Sequence, residues 1–255
     1  MSSKHASDGR WVRRTAAAAA APYRAAGRFA WHFARAKLAR DPVFAGMLRL
    51  GLIPGSARIA DLGCGQGLLA AWLLAAAARF DAGDWPRAWP SPPRDTRLHG
   101  IELMPRDVAR ARHALGDKAE IHQGDIRDAH FGTVDAVVIL DVLHYFDAGA
   151  QDALLHRVYA SLPPAGVLLL RVGNAAAGWR FRFGNWVDRT AARLRGHRAA
   201  PVHGRTLPEW LRALGALGFS TEAVPMSEGT LFANVLLVAR KPPRAASSAA
   251  SVQVQ

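Results

Sequence analysis

Short apolar runs alternate with longer amphipathic segments through most of the chain. Apolar residues recur with helical spacing over 66–79, 105–115, 148–162 and 207–217. β-prone runs bounded by turn formers predict strands at 59–62, 98–102, 120–124, 134–141, 167–172, 220–225 and 231–241. This alternation predicts an α/β fold, a doubly wound, seven-stranded, mostly parallel sheet with a terminal antiparallel hairpin.

The segments that do not follow this alternation set the domain boundaries. Helical spacing before the first strand, with Gly27 as a weak point, predicts N-terminal helices. Prolines between 81 and 97 exclude a helix or an inner strand there. The predicted organisation is a disordered start at 1–10, a helical cap at 11–55, a domain at 56–241 with insertions at 81–97 and 174–204, and a disordered tail at 242–255.

A glycine-rich corner follows the first predicted strand. Asp61 ends that strand, and Gly63, Gly65 and Gly67 alternate directly before an apolar helix. Glycine permits positive φ and lets a ligand approach bare backbone, and the helix N-terminus adds unpaired N–H groups. The dinucleotide fingerprint needs G-x-G-x-x-G, whereas this run is G-x-G-x-G, so it departs from the pattern of nicotinamide-dependent oxidoreductases.

The run D-L-G-C-G-Q-G resembles motif I of class I S-adenosylmethionine-dependent methyltransferases, which have a Rossmann-like fold. Acids at the ends of three further strands are similar to later motifs of that family: Glu102 to the ribose-binding acid, Gly124-Asp125-Ile126 to the adenine motif, and Asp141 to the fourth motif. The resemblance implies S-adenosylmethionine as the cofactor. The implied cofactor-binding residues are Asp61, Gly63, Cys64, Gly65, Gly67, Glu102, Leu103, Gly124, Asp125, Ile126 and Asp141.

The same resemblance implies a methyltransferase whose acceptor side is formed by the N-terminal helices and the region after the fifth strand. It also implies that the N-terminal helices form a lid over the donor pocket. His144 is the leading candidate for a base, because it follows the fourth strand and histidine titrates near neutrality. A packing or substrate-contact role for His144 stays open, and Asp141 is the other catalytic candidate. The candidate substrate-binding residues are Tyr23, Trp31, His32, Tyr145 and Arg171.

Absent motifs narrow the acceptor. The fourth strand lacks the N/D-P-P-Y/F motif of adenine methyltransferases. One family of ribose methyltransferases uses a Lys-Asp-Lys-Glu set, but no lysine stands at the carboxyl end of any of the first five predicted strands. The fifth strand ends in Arg171-Val-Gly-Asn174, without the acid that metal-dependent relatives use. We therefore expect no metal and an acceptor that is not a nucleic acid.

Charge is distributed unevenly along the chain. The net charge is +13, yet residues 59–170 carry 10 basic and 14 acidic side chains. Residues 1–58 carry 11 basic and 2 acidic side chains, and residues 171–255 carry 12 and 4. The two basic flanks favour an anionic small-molecule or carrier-bound acceptor, or an acidic carrier protein, although a solvated arginine surface explains the charge equally well.

The remaining composition limits compartment and class. Cys64 is the single cysteine, so a disulfide framework is excluded and a reducing, cytoplasmic location is expected. Apolar runs are too short or too charged to span a membrane.

A hydroxyl or carboxyl of an anionic metabolite is the expected methyl acceptor. A non-catalytic protein that binds S-adenosylmethionine and an RNA methyltransferase remain the alternatives.

Overall fold

The computed structural model describes residues 2–173, 203–226 and 234–244, with side chains from residue 7 onward. The predicted insertion at 174–204 and the predicted tail at 242–255 lie largely outside the described residues. Within the described residues, none of the helices is long and apolar enough to cross a bilayer.

The sheet has seven strands in the order β3-β2-β1-β4-β5-β7-β6. β1 to β5 are parallel, and β7 pairs antiparallel with both β5 and β6. The predicted mostly parallel sheet and terminal hairpin are confirmed, with β7 inserted between β5 and β6. The strands are β1 Arg58–Leu62, β2 Arg97–Glu102, β3 Glu120–Gln123, β4 Ala136–Leu140, β5 Val167–Gly173, β6 Ser220–Pro225 and β7 Asn234–Arg240.

Helices cover both faces of the sheet. The described helices are α1 Ser2–Ala20, α2 Arg28–Arg40, α3 Pro42–Arg49, α4 Leu68–Asp81, α5 Pro105–Leu115, α6 Ala148–Ser161 and α7 Leu207–Ala216. Apolar residues of α1 to α5 form the core on one face, and those of α6 and α7 form the core on the other. This two-sided burial makes β4 and β5 almost wholly apolar and confirms the doubly wound arrangement.

The start of the chain differs from the sequence prediction. Residues 1–10 were expected to be disordered, but α1 begins at Ser2 and continues to Ala20. Gly27, with φ of 113°, precedes α2 and marks the predicted interruption of the cap. Local composition missed the helix because long-range packing on its buried side stabilises it.

A tryptophan cluster fixes α1 against the domain. The Trp11 ring lies 5.9 Å from that of Trp72 on α4, and 5.1 and 5.0 Å from those of Trp85 and Trp89 in the 81–97 segment. The Trp11 Nε1–H donates to the carbonyl of Asp84 (2.8 Å). The proline-rich insertion therefore covers α1. Helix α1 is part of the core and does not form a lid over the crevice, the open region at the carboxyl ends of the parallel strands.

Candidate active site

The glycine turn after β1 lies where the carboxyl ends of the parallel strands meet. Gly63, Gly65 and Gly67 all have positive φ, of 78°, 55° and 76°. A Cβ on Gly63 would lie 2.4 Å from Val142, and one on Gly67 would lie 2.6 Å from Leu115. A Cβ on Gly65 would meet no atom within 4 Å. Two of the glycines thus allow close packing, whereas Gly65 leaves open space beside bare backbone.

Two carboxylates flank this turn. Asp61 is 4% exposed at the end of β1. Burial, together with the nearby charge of Glu102, raises the pKa of Asp61 to about 7. Glu102, at the end of β2, accepts from the N–H of Gly65 (2.9 Å) and of Met104 (2.8 Å). A cationic group beside Asp61 would relieve the cost of ionising this buried acid.

The cap reaches the glycine turn through a buried tyrosine. The Tyr23 hydroxyl donates to the Gln66 carbonyl (2.7 Å), and Gln66 Nε2 donates to the Ala30 carbonyl (3.3 Å). Burial, together with the nearby carboxyl group of Asp61, raises the pKa of Tyr23. Burial likewise raises the pKa of the Cys64 thiol, so this thiol stays protonated. The structure places Tyr23, predicted on the acceptor side, against the turn implied to bind the donor.

The residues implied to contact the adenine ring differ in exposure and in their hydrogen-bond partners. Leu103 is 52% exposed, whereas Ile126 is 4% exposed and packs in the core beneath α6. Asp125 accepts from the backbone N–H and the guanidinium of Arg127, which lowers its pKa. The Gly124 N–H donates to the carbonyl of Glu102 (3.0 Å), which holds this loop beside the end of β2. Asp125 would have to share its oxygens with Arg127 to bind an amino group.

Four charged side chains form a closed ring between the cap and the ends of β4 and β5. Arg171 Nε donates to Asp141 (2.7 Å), a second guanidinium N–H also binds Asp141, and Nη1 donates to Asp41 (2.5 Å). Lys37 Nζ lies 2.9 Å from Asp41 and 3.4 Å from Asp141. Sequence reasoning placed the Arg171 guanidinium in contact with substrate. The structure disfavours that placement, because Arg171 is 1% exposed and its donors bind the two carboxylates.

The ring also fixes the charge state of Asp141, which has φ of 59° just beyond β4. Burial alone raises the pKa of Asp141, but the charges of Arg171 and Lys37 outweigh it and hold that pKa well below its usual value. Such a carboxylate is a weak proton acceptor. The structure therefore favours a positioning role for Asp141 over a role as the base.

His144 and Tyr145 lie on a short 3₁₀ turn after Asp141, with ring centroids 4.1 Å apart. Gln151 of α6 is buried, and its Nε2 lies within hydrogen-bond distance of the carbonyls of Leu143 (3.0 Å) and His203 (3.1 Å). The His203 N–H donates to the His144 carbonyl (2.8 Å). The turn carrying the candidate base is thus held by α6 and by the chain returning at His203.

The other two acceptor-side candidates lie on α2. Trp31 is half-buried, and the guanidinium of Arg24 lies 5.0 Å from its ring centroid. His32 is exposed, with its ring 4.5 Å from that of Trp31. No described contact joins either residue to His144, so their acceptor role stays a prediction.

Sequence reasoning missed several residues of this region. One of them lies inside the glycine run and the others belong to no motif, and most of the contacts that bring them to this region come from distant parts of the chain. They are Lys37, Asp41, Gln66, Gln151 and His203. No group of three or more His, Cys, Asp or Glu side chains within the described ranges could hold a metal ion.

Comparisons with known proteins agree with this geometry. Carboxy-S-adenosyl-L-methionine synthase of Chromohalobacter salexigens is 34% identical over 119 residues, 45% of this chain and 39% of that protein. The enzyme of that name from Psychrobacter arcticus is 30% identical over 118 residues, 44% of this chain and 40% of that protein. The chain thus matches about two fifths of the length of these curated relatives.

Solved structures share the fold. Human N-acetylserotonin methyltransferase, solved in complex with SAM, superposes with a TM-score of 0.57 at 18% identity, over 84% of this chain and 56% of that one. Magnesium protoporphyrin IX methyltransferase from Synechocystis, with bound SAH, superposes with a TM-score of 0.54 at 19% identity, over 78% of this chain and 80% of that one. A family model described as a methyltransferase domain matches residues 30–218. Because this match covers well over half of the chain, the chain belongs to that methyltransferase family, and the resemblance to class I S-adenosylmethionine-dependent methyltransferases is confirmed.

Proposed function

We propose that this chain transfers the methyl group of S-adenosylmethionine to a hydroxyl or carboxyl oxygen of a small-molecule or carrier-bound acceptor. The open space at Gly65, beside the carboxylates of Asp61 and Glu102, is the observation that carries the proposal. Backbone without a side chain suits close approach of a nucleoside. Asp61 suits a cationic ammonium, and Glu102 suits a ribose diol.

S-adenosylmethionine supplies a methyl group on a sulfonium sulfur, already activated for displacement. The main task of this chain is to align the acceptor oxygen in line with that methyl carbon, and positioning of this kind supplies most of the rate. Asp61 and Glu102 would orient the donor from two neighbouring strand ends. Leu103 and Gly124 would line the adenine side.

On the acceptor side, His144 would remove the proton of a hydroxyl acceptor, and Asp141 would orient the groups around it. His144 lies on the 3₁₀ turn that directly follows Asp141, so both side chains belong to the same strand end. A carboxylate acceptor would need no base.

Exposed arginines support an anionic acceptor. Arg24 and Arg28 lie on the surface of the cap, between Tyr23 and Trp31. Arginine recognises carboxylates and phosphates through paired N–H donors. An acidic carrier protein would fit the same surface. We do not expect a nucleic acid as the acceptor. The unpaired thiol of Cys64 supports a cytoplasmic location for this reaction.

The test is turnover on metabolites from cells that lack this chain. Purified protein and isotope-labelled S-adenosylmethionine are incubated with the metabolite extract, and labelled products are identified by mass spectrometry. We expect a labelled product and S-adenosylhomocysteine with the parent protein, and neither with Gly65→Val. If the parent protein neither binds S-adenosylhomocysteine nor forms it above background, the proposal is wrong.

The curated relatives favour a second candidate function, the formation of a carboxylated derivative of S-adenosylmethionine. The same donor residues would hold the cofactor, but the product would be the modified donor. Mass spectrometry of the cofactor pool separates the two functions. A methyltransferase yields S-adenosylhomocysteine. The second function replaces one hydrogen of the donor by a carboxyl group supplied by a carboxylate co-substrate, so its product is heavier than the donor by the mass of CO2.

A further inference from the structure

We propose that Lys37 binds a carboxylate group in the crevice, one that belongs either to the amino-acid end of the donor or to the acceptor. This inference rests on the proposed function, because it takes the crevice beside Asp141 to be the site of methyl transfer. Sequence reasoning gave the role of contact cation to Arg171. The structure gives Arg171 a supporting role and brings Lys37 to the open side of the ring.

The four side chains of the ring differ in exposure. Side-chain exposure is 1% for Arg171 and 11% for Asp41, but 31% for Asp141 and 34% for Lys37. The ring therefore turns its Arg171–Asp41 side into the protein. Its Lys37–Asp141 side faces outward, next to the turn that carries His144.

The two cations of the ring differ in the number of N–H donors left for a ligand. Three N–H groups of Arg171 bind the two carboxylates, and its burial leaves the remaining N–H groups out of reach of a ligand. An ammonium has three N–H donors, and Lys37 has two carboxylate neighbours in the ring. The third donor can therefore serve a ligand, and Asp41 and Asp141 hold the ammonium in place for it.

A carboxylate is the ligand group that suits the remaining N–H donor of Lys37. The four ring charges cancel, so the ring offers a directed N–H group rather than a net positive field. The amino-acid end of the donor carries an ammonium and a carboxylate. In the proposed function its ammonium binds Asp61 on β1, the strand that pairs with β4. A carboxylate at Lys37 would complete a charge-assisted hydrogen bond, which is roughly twice as strong as a neutral one.

Isothermal titration calorimetry with three probes tests this proposal. The probes are S-adenosylhomocysteine, 5′-methylthioadenosine, which lacks the amino-acid end, and benzoate added to protein saturated with S-adenosylhomocysteine. Lys37→Met keeps the apolar stem and removes the ammonium. We expect it to weaken binding of S-adenosylhomocysteine or of benzoate by about tenfold or more, because tenfold is near the lower end of the effect of losing a hydrogen bond to a charged group. Binding of 5′-methylthioadenosine should stay the same.

The pattern of losses identifies the source of the carboxylate. Weaker S-adenosylhomocysteine binding assigns Lys37 to the donor, and weaker benzoate binding assigns it to the acceptor. Arg40→Met is the matched control, because Arg40 is an exposed cation at the end of the same helix. It should leave all three affinities unchanged.

Three results would overturn the inference: unchanged affinities for both carboxylate probes, equal losses in Arg40→Met, or an equal loss for all three probes. The last is the signature of a purely structural Lys37. If the parent protein fails to bind S-adenosylhomocysteine, the proposed function itself is wrong, and that outcome is distinct from normal binding by Lys37→Met.

Discussion

Donor binding should depend on pH because Asp61 must ionise to hold an ammonium group. Burial and Glu102 raise the pKa of Asp61 to about 7 in the donor-free protein. The donor's ammonium favours the carboxylate form, so its apparent affinity scales with the ionised fraction of Asp61. Affinity for S-adenosylhomocysteine should therefore rise as pH rises through neutrality.

The magnitude follows from this pKa. With a pKa of about 7, roughly one tenth of Asp61 is ionised at pH 6 and roughly nine tenths at pH 8. The dissociation constant should fall about tenfold between these values, equivalent to about 1.4 kcal/mol of binding free energy. Binding at pH 6 should release nearly one proton per site, because complex formation ionises the acid.

The assay is calorimetry at pH 6, 7 and 8, each in two buffers that differ in ionisation enthalpy, so that proton release is measured directly. Asp61→Asn is the control, since its side chain has nearly the same shape and cannot titrate. It should bind more weakly and with little pH dependence. The reasoning is refuted if parent affinity is flat over this range, or if Asp61→Asn keeps the same slope.

Three substitutions test other parts of the site. Gly65→Val should abolish S-adenosylhomocysteine binding, whereas Gly83→Val, at a turn with similar φ and equal open space, should cost about the same stability, roughly 1–2 kcal/mol, and leave calorimetric affinity intact. Arg171→Met should lower the free energy of unfolding by about 3–5 kcal/mol in urea titrations, because it removes the buried cation that pairs with Asp41 and Asp141 and leaves both carboxylates with Lys37 alone; a loss below about 1 kcal/mol would contradict a structural role. His144→Ala should slow methyl transfer to a hydroxyl acceptor by about 10²–10⁴-fold without changing donor affinity, and near-normal turnover would leave His144 a contact residue.

Local sequence patterns were enough to predict the sheet and the glycine turn with its two acids. The β-prone run ending in Asp61, the spacing of Gly63, Gly65 and Gly67, and the acid Glu102 all lie within short segments whose conformation local chemistry dictates. Parallel strands bring such ends to one edge, so Asp61 and Glu102 could be placed together before any contact was known.

The charged ring around Arg171 and the packing of the cap depend on contacts between distant parts of the chain. Arg171 and Asp41 are 130 residues apart, and no periodicity shows that an arginine at a strand end will pair with that acid and be buried. Likewise, α1 is helical from Ser2 because Trp11 packs on Trp72 and the 81–97 segment, contacts that its own polar start does not encode. Propensity and spacing act over a few residues, whereas burial and ion pairing join residues that the chain brings together only when it folds.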